Sequence, residues 1–311
     1  MDTLCELFGN TRQAYYKQIK YQNKAELQRE LIIGFVQTKR KDMPKIGVRK
    51  LHYLIHKDLP KELHIGRDLL FALLREQGLL IKRRRYRVKT TYSNHWLKKY
   101  PNLIREFVPD GPHQLLVSDI TYIQTDCGFM YLYLITDAYS RKVVGWDIAD
   151  NLEAINAIKA LKKAIGQLPK EMSNIIHHSD RGVQYCSYKY IEMLKTRDIK
   201  ISMTENGDPL ENAIAERVNG ILKTEWIYTQ DLLQSKQLKV QIRKIIKIYN
   251  TKRPHLSIDM LTPCEAHEMT GNIERRWKNY YGKNEMENID PSTAQNSDCS
   301  ISLRSITQSE F

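Results

Sequence analysis

Three acidic residues, Asp119, Asp180 and Glu216, could act together in chemistry, and the first two lie in or next to apolar runs, where a charge is unusual. Asp119 interrupts the strand-like run LLVSDITYI, and Asp180 follows the short apolar run 175–178. Gly182 comes two residues later, so this run is predicted to be a buried strand that delivers a carboxylate into a tight turn. Thirty-five residues separate Asp180 from Glu216, which is room for a crossover helix, a strand and the approach to a second helix.

Carboxylates brought together from separate elements repel each other and lose hydration, unless a cation neutralises them. Ligands that offer only oxygen suit Mg²⁺ or Mn²⁺. Two such ions, held about 3.5–4 Å apart, can clamp the attacking and leaving oxygens of an in-line phosphoryl transfer. The three carboxylates therefore predict an enzyme that acts on phosphodiesters with two divalent ions and no organic cofactor.

The segment around Glu216 has the period of an amphipathic helix. Its apolar positions are Leu210, Ile214, Val218, Ile221 and Leu222, and its polar positions are Asn212, Glu216, Asn219 and Lys223. Glu216 is therefore predicted to leave the helix on its polar side. Lys223 lies seven residues later on the same side, so we expect it to contact a phosphate.

Charge is distributed unevenly along the 311 residues, whose formal net charge is +13. Residues 1–100 hold 23 Lys/Arg and 9 Asp/Glu, whereas residues 101–311 hold 26 and 27. A basic front end on a nearly neutral remainder predicts a module that binds a polyanion such as DNA. The most basic run includes Lys82, Arg83, Arg84, Arg85 and Arg87, which would neutralise several phosphates. A solvated linker without a partner is the alternative.

The first 100 residues are predicted to be helical. Two short helices around Gly9-Asn10, the second capped by Thr11, are compatible with a helix-turn-helix or with an ordinary helical hairpin. A further helix is predicted over 24–38, followed by a basic linker, and a helical pair over 47–57 and 67–77 that Gly78 ends.

From residue 115 the pattern changes to short strands separated by turns. Strands are predicted over 115–123, 129–136, 143–148, 175–178 and 200–203, and helices over 152–165, 188–194, the Glu216 segment and about 232–249. We expect a basic helical DNA-binding region (1–100), a linker (101–112), a catalytic core (113–270) and a C-terminal tail (271–311), disordered from about 284.

The five cysteines are scattered, and no two form a CxxC pair, which indicates a reducing compartment and disfavours a structural zinc site. No run approaches the roughly 18 apolar residues of a membrane span, and the N-terminus lacks a signal-peptide pattern. A cytoplasmic protein without a membrane partner is expected.

Several motifs, in this order, resemble the insertion-sequence transposases of the IS-three type. They are DITY (119–122), DAYSRKVVGW (137–146), HHSDRGVQY (177–185), NAIAERVNGILKTEW (212–226), YNTKRPHLS (249–257) and TPCEA (262–266). More narrowly, the chain is similar to their second-frame product, OrfB, from near residue 1 to about 268. The resemblance implies a ribonuclease-H-like integrase core with a mixed five-stranded sheet, in which Asp119 on the first strand and Asp180 at the end of the fourth are neighbours.

The resemblance also implies that Asp119, Asp180 and Glu216 form the metal-binding catalytic triad. Many relatives have Asp-Asn-Ala before the helix glutamate, where this chain has Glu211-Asn212-Ala213. Glu211 is therefore a competing third ligand. It lies five residues from Glu216, about 140° around a helix, so one helix would not present both equally. We prefer Glu216, while Glu205 and Glu225 fit neither the spacing nor the resemblance.

Other residues in these motifs are candidates for supporting roles. His178 and Ser179 flank Asp180 and are expected to orient it or touch DNA, with an ordinary strand end as the alternative for His178. Gly182 is expected to permit the sharp turn. Gln184 and Tyr185 are candidate DNA contacts, with core packing as the alternative for Tyr185, and Arg253 and His255 are candidate DNA contacts with a structural turn as the alternative.

The resemblance implies attack by water, and later by a DNA 3′-hydroxyl, on phosphodiesters at the element ends and the target, without a covalent protein intermediate. It further implies a homo-oligomer on DNA, a bacterial cytoplasmic location on the nucleoid, and an upstream OrfA partner or fusion that supplies the main end-reading helix-turn-helix. A catalytically inactive DNA-binding regulator and a ribonuclease for RNA/DNA hybrids remain alternatives. Among 18 tyrosines, none is singled out as the nucleophile of a tyrosine recombinase.

Overall fold

The computed structural model describes Leu7, Gly9 and residues 11–81, 96–205, 212–229 and 234–274. A five-stranded mixed sheet, in the order β3-β2-β1-β4-β5, forms its centre. The strands are β1 (Leu115–Thr125), β2 (Gly128–Asp137), β3 (Val143–Ala149), β4 (Ile176–Ser179) and β5 (Lys200–Met203). β1, β2 and β3 form an antiparallel meander, and β4 and β5 add parallel to β1. This confirms the predicted sheet, whose strand ends lie within two residues of the prediction.

Nine α-helices surround the sheet within the described residues. Three precede it: α1 (Arg12–Asp42), α2 (Val48–Asp58) and α3 (Arg67–Glu76). Between the strands lie α4 (Ala154–Ile165), α5 (Val183–Cys186) and α6 (Tyr188–Thr196). After the sheet come α7 (Ala213–Glu225), α8 (Ser235–Lys252) and α9 (Pro263–His267). The sequence patterns did not predict α5 or α9, which are too short to show a helical period.

The two faces of the sheet are covered by different helices. On one face, Leu116, Tyr133 and Ile135 pack with residues of α4 and α6. On the other, Ile123 and Leu134 pack with α7, α8 and the three N-terminal helices. Because both faces are buried, residues 115–118 of the central strand are all buried, although the strand ends in alternating exposed positions.

The structure corrects the predicted breaks in the N-terminal region. α1 is continuous over Arg12–Asp42, where a separate helix over 24–38 and a basic linker were expected. Residues 12–33 contain neither glycine nor proline, so nothing in them stops a helix. Thr11 does cap α1, since its Oγ1 accepts a hydrogen bond of 3.1 Å from the Ala14 N–H. Residues 1–6, 8 and 10, which include most of the first predicted helix, lie outside the described residues.

Gly78 ends α3 as predicted. It has φ +64°, a left-handed conformation that costs glycine little. Its N–H donates to the Arg75 carbonyl, and the Leu79 N–H donates to the Leu74 carbonyl, which together satisfy carbonyls at the helix end. Among the residues that the structure describes, none of the helices is both long and apolar enough to pass through a lipid bilayer.

Candidate active site

Asp119, within β1, and Asp180, directly after β4, occupy neighbouring positions. β1 and β4 are parallel neighbours, and Ser118 pairs with Ser179 across them. The next residue of each strand carries the carboxylate, so both lie at the same end of the parallel pair. The structure thus confirms that topology makes the segments of these two residues adjacent.

Asp119 is partly exposed and held from two directions. Its Oδ1 accepts a hydrogen bond of 2.9 Å from the Ile120 N–H, and its Oδ2 accepts one of 2.7 Å from the Asn219 amide. Burial and the nearby Asp180 carboxylate raise the pKa of Asp119 to about 7, with a smaller contribution from Glu216, and the two hydrogen bonds oppose the shift. Negative charge at Asp119 is therefore disfavoured unless it is compensated.

Glu216 stands in the first turn of α7 on its exposed side. Burial raises the pKa of its carboxyl group, and the charge of Asp180 raises it further. Asp180 and Glu216 both raise the pKa of Asp119 as well, so the three carboxylates share one electrostatic environment. That coupling is the main feature of the site.

The three carboxylates suit a divalent cation in chemistry, because they supply oxygen ligands and excess negative charge that a cation would neutralise. Their spacing is more open than that of ligands around one ion. Among the described residues, no three His, Cys, Asp or Glu side chains lie close enough together to hold a metal ion. The raised pKa values of Asp119 and Glu216 are the observation that supports the fit.

Gly182 supports Asp180 in a way that differs from the expectation. Its N–H donates a hydrogen bond of 3.0 Å to Oδ1 of Asp180. Its φ of −64° is accessible to any residue, so the turn does not require the conformational freedom of glycine. Glycine suits this position because there is little room for a side chain. A Cβ here would lie 3.0 Å from Oδ1 of Asp180 and 3.1 Å from Oε1 of Gln184.

Only part of the polar side of α7 faces solvent. Asn212 and Asn219 were predicted on that side, and both are buried. Asn212 donates a hydrogen bond of 3.0 Å to the Ser118 carbonyl, while Asn219 reaches Asp119. This side of α7 therefore covers β1, and its two amides bind the strand that carries the first carboxylate.

A buried polar cluster lies behind the carboxylates. Nε2 of His177 is 2.7 Å from Oγ of Ser118 and 2.9 Å from the Tyr190 hydroxyl. All three residues are buried, and burial lowers the pKa of His177 to about 3, so the imidazole is neutral. A Ser-His pair of this kind can suggest a nucleophile, but here no substrate reaches it. We assign the cluster to the support of β1 and β4.

The predicted supporting residues near Asp180 are packed inside the protein. His178 is fully buried, with Nδ1 2.8 Å from Oγ of Ser202. Ser179 is buried and donates to the carbonyl of Asp180, and Tyr185 is buried against Tyr190 with ring centroids 5.4 Å apart. Core packing, the alternative for Tyr185, and a strand-end role for His178 fit these positions. Gln184 is partly exposed and donates to the Leu152 carbonyl.

Lys223 lies near Asp119, and its contact with a phosphate stays a prediction. Its ammonium nitrogen is 4.8 Å from the centre of the exposed Tyr122 ring. Burial lowers the pKa of Lys223, and the charge of Asp119 opposes that shift. Lys223 is thus a cation near Asp119. The predicted contacts Lys82, Arg83, Arg84, Arg85 and Arg87 lie outside the described residues, as does Glu211.

Arg253 and His255 are not at the DNA-accessible surface. Arg253 is 2% exposed and donates two hydrogen bonds, of 2.8 and 2.5 Å, to the Glu225 carboxylate. It also donates to Nε2 of the buried His255 at 2.9 Å, and Lys50 of α2 lies 3.4 Å from Glu225. These contacts join α2, α7 and the end of α8, so the structural alternative fits both residues.

The residues that sequence reasoning did not assign to the site are Asn219, Ser118, His177 and Tyr190. Asn219 lies three residues after Glu216, a spacing that puts both on one side of a helix, and that signal was present. Ser118 and His177 occur inside apolar runs, where a polar residue needs a partner. The partners come from separate segments, so the sequence did not reveal them.

Comparison with known proteins matches the chain to two integrase core domain families, over residues 109–209 and 197–263. It is 31% identical over 273 residues to the IS600 uncharacterized 31 kDa protein of Shigella sonnei, covering 85% of this chain and 97% of that protein. It is 30% identical to the transposase for IS629 of Shigella sonnei, covering 71% and 73% of the two chains. It is 35% identical to transposase InsF for IS3A of Escherichia coli K12, covering 62% and 67%.

Among solved structures, the chain is similar to the HTLV-2 integrase catalytic core domain in complex with magnesium. The TM-score is 0.41 at 19% identity, covering 51% of this chain and 99% of that one. It is also similar to a chain of the simian T-cell lymphotropic virus intasome in complex with the PP2A regulatory subunit B56 gamma, with a TM-score of 0.44 at 20% identity, covering 74% and 78%. At these identities the likeness is one of fold alone.

Proposed function

This chain belongs to the insertion-sequence transposases of the IS3 type, which carry an integrase core domain, and we propose that it catalyses metal-dependent DNA strand cleavage and strand transfer at the ends of its element. The observation that carries the proposal is the position of Asp119 and Asp180 at the same end of the parallel β1–β4 pair, with Glu216 near enough to raise the pKa of Asp119. Asp180 raises the pKa of both Asp119 and Glu216, and carboxylates placed together in this way are costly for a structural role alone. They are useful where a cation binds.

In this proposal Asp119, Asp180 and Glu216 would together supply the carboxylate ligands for two divalent ions. Bound Mg²⁺ or Mn²⁺ supplies the charge that activates an attacking oxygen and stabilises a leaving one. Asn219 and the Ile120 N–H hold the Asp119 carboxylate, and the Gly182 N–H holds that of Asp180. Lys223 lies near Asp119 and would bind a phosphate of the DNA.

The wider assembly is part of the same proposal. Residues 1–100 form a basic DNA-binding region, residues 101–112 a linker and residues 113–270 the catalytic core, followed by a tail. We propose that the chain acts as a homo-oligomer on DNA and works with, or fused to, an upstream OrfA product. Its basic first third, with 23 Lys/Arg against 9 Asp/Glu, supports DNA binding but names no sequence.

The test compares Asp180→Asn with the wild type on a duplex that carries the end of the encoding element, with Mg²⁺ or Mn²⁺ and with the OrfA product present. Glu192→Gln, on the exposed side of α6, makes the same change in charge away from the site. We expect Asp180→Asn to bind DNA and to give no cleavage or strand transfer, while Glu192→Gln keeps both.

Three results would contradict the proposal. Equal cleavage by wild type and Asp180→Asn would remove the carboxylates from catalysis. DNA binding by both, with no cleavage by the wild type under any metal condition, would instead favour the catalytically inactive regulator. Degradation of an RNA/DNA hybrid in place of the element end would identify the ribonuclease alternative.

A further inference from the structure

Positive charge is concentrated on the two helices that flank one edge of the sheet. α8 contains Lys236, Lys239, Arg243, Lys244, Lys247 and Lys252, and α4 contains Lys159, Lys162 and Lys163. Neither helix contains an aspartate or a glutamate. Residues 101–311 as a whole hold 26 Lys/Arg and 27 Asp/Glu. This part of the chain therefore has no excess of positive charge, and its cations are instead concentrated on these two helices.

The edge strand between these helices is β3. Two neighbouring clefts follow it, one lined by Trp146 together with cations of α4 and α8, and the next by Asp147 with further cations of the same helices. We call the surface formed by six of these cations the β3 groove: Lys159, Lys163, Lys236, Lys239, Arg243 and Lys247. All six are exposed.

Two acidic residues, Asp147 and Asp150, line the clefts of the β3 groove, and they offset only part of the charge of its six cations. The Asp147 side chain is 3% exposed, and its Oδ1 lies 3.4 Å from the ammonium nitrogens of both Lys163 and Lys239. It thereby ties α4 to α8 across the edge strand. Among the described residues, Lys236, Arg243 and Lys247 take part in no ion pair, so three cations point at solvent without an internal partner.

The cations of α8 are spaced to follow a polymer of phosphates. Lys236, Lys239, Arg243 and Lys247 recur at steps of three or four residues, which aligns them along one side of the helix. From Lys236 to Lys247 the helix rises about 16 Å at 1.5 Å per residue. One strand of B-DNA carries a phosphate about every 3.4 Å, so this length matches about five phosphates.

The β3 groove lies close to the carboxylates without including them. Asp119 pairs with Leu134, and Leu134 pairs with Trp146, so the groove begins two strands away in the same row of the sheet. At about 4.8 Å per strand this is roughly 10 Å. Exposed aromatic residues connect the two regions: Lys223 lies over Tyr122, whose ring packs edge-on against Phe129 at 5.7 Å.

We propose that the β3 groove binds the sugar-phosphate backbone of duplex DNA without regard to its sequence, as a second contact region beside the catalytic carboxylates. The unpaired cations and their spacing fit a regular polyanion. A second copy of the same surface fits poorly, because two such surfaces would bring like charges together. The inference extends the proposed function, but it concerns binding and does not depend on cleavage.

The experiment measures the affinity of a random-sequence duplex by fluorescence anisotropy at several salt concentrations. The full-length chain is used with Asp180→Asn in every sample and EDTA present, so that neither cleavage nor metal binding contributes. The groove variant carries Lys236→Gln, Arg243→Gln and Lys247→Gln. The matched control carries Lys189→Gln, Lys195→Gln and Arg197→Gln, three exposed cations on or next to α6 that do not line the β3 groove.

Each lost phosphate contact lowers the slope of log K against log salt concentration by about 0.9, so the groove variant is expected to lose about 2.7. The control variant should keep the wild-type slope, and both should unfold at the wild-type temperature. Equal slopes for the wild type and the groove variant, or an equal loss in both triple variants, would overturn the proposal. A change in sedimentation of the groove variant with an unchanged slope would overturn it too, because that result indicates contact between copies of this chain.

Discussion

The side-chain amide nitrogen of Asn219 lies 2.7 Å from Oδ2 of Asp119 and donates a hydrogen bond to it. Asn219 is buried, so this bond joins α7 to β1 away from bulk water. A hydrogen bond to the charged form of a carboxyl group lowers its pKa, and this one opposes the increase that burial and Asp180 cause at Asp119. Asn219 is therefore a positioning residue for Asp119.

Replacement of Asn219 by alanine should make Asp119 harder to ionise. The pKa of Asp119 should rise above its value of about 7, and the acidic limb of the pH profile of kcat/KM should move to higher pH. Loss of a residue that orients a metal ligand typically costs about 10–100-fold in activity or metal affinity. The measurement is kcat/KM for cleavage of an element-end duplex at about ten pH values between roughly 6 and 9.

Asn250→Ala is the matched control for this experiment, because the Asn250 amide binds the N–H and carbonyl of Val143, away from the carboxylates. It should lower stability and leave the acidic limb in place. A profile of Asn219→Ala that coincides with that of the wild type would show that the bond does not tune Asp119.

Replacement of Asp119 by asparagine should stabilise the metal-free protein at neutral pH. The folded-state pKa of about 7 exceeds the unfolded value of about 3.9, so the native state holds the proton more tightly. The wild type therefore loses stability as pH rises from about 4 to about 7, and the variant does not. Thermal unfolding in EDTA should show a gain for Asp119→Asn that grows across this window, at about 2–4 °C for each kcal/mol. Mg²⁺ at pH 8 should raise the midpoint of the wild type more than that of the variant.

Glu225→Gln provides the opposite case in the same assay. Burial would raise the pKa of Glu225, but Arg253 and Lys50 outweigh it, so the pKa is lowered. This carboxylate stabilises the fold above its unfolded-state pKa, and the contribution is lost as pH falls through the folded-state value. Glu225→Gln should therefore destabilise the protein at pH 7, where Asp119→Asn stabilises it. Two variants that shift the midpoint in the same direction would contradict this assignment of the charges.

Gly182→Ala should impair the site without unfolding the protein. The backbone conformation at Gly182 suits alanine, but the new methyl group would lie 3.0 Å from Oδ1 of Asp180. The carboxylate must then move, so cleavage should fall about 10–100-fold while the unfolding midpoint changes little. Gly220→Ala is the control, since a Cβ added at this position would have no other group within 4 Å. Inside α7 this change should add about 0.5–1 kcal/mol of stability and keep activity. Full activity of Gly182→Ala would show that the close approach is unimportant.

Local patterns predicted most of the sheet, and the resemblance to the IS-three transposases predicted that Asp119 and Asp180 lie close together. The bounds of β1, β2 and β3 follow from β-branched and aromatic runs between turn residues, and these strands lie within two residues of the prediction. The parallel pairing of β4 with β1, expected from the resemblance, then brings Asp119 and Asp180 to one end of the sheet.

The sequence did not predict what the polar side of a helix touches. A helical period separates Asn219 from the apolar residues of α7, but its partner Asp119 lies 100 residues earlier. The same limit applies to Arg253, whose basic character suggested DNA and whose partner, Glu225, makes it part of the core. At Gly182 the sequence indicated a turn, but the crowding around Asp180 became visible only in three dimensions.

Arg253 should matter for stability and not for DNA affinity. Removal of its guanidinium by Arg253→Ala leaves the Glu225 carboxylate buried, with Lys50 as its remaining ion-pair partner among the described residues, a change that typically costs about 3–5 kcal/mol. Arg253→Lys keeps the charge but loses the two-pronged contact, so its loss should be smaller. Chemical unfolding measures both. For Arg253→Lys, held at a temperature where it is folded, the salt dependence of DNA binding should equal that of the wild type. A slope lower by about 0.9 with unchanged stability would instead place Arg253 on a phosphate.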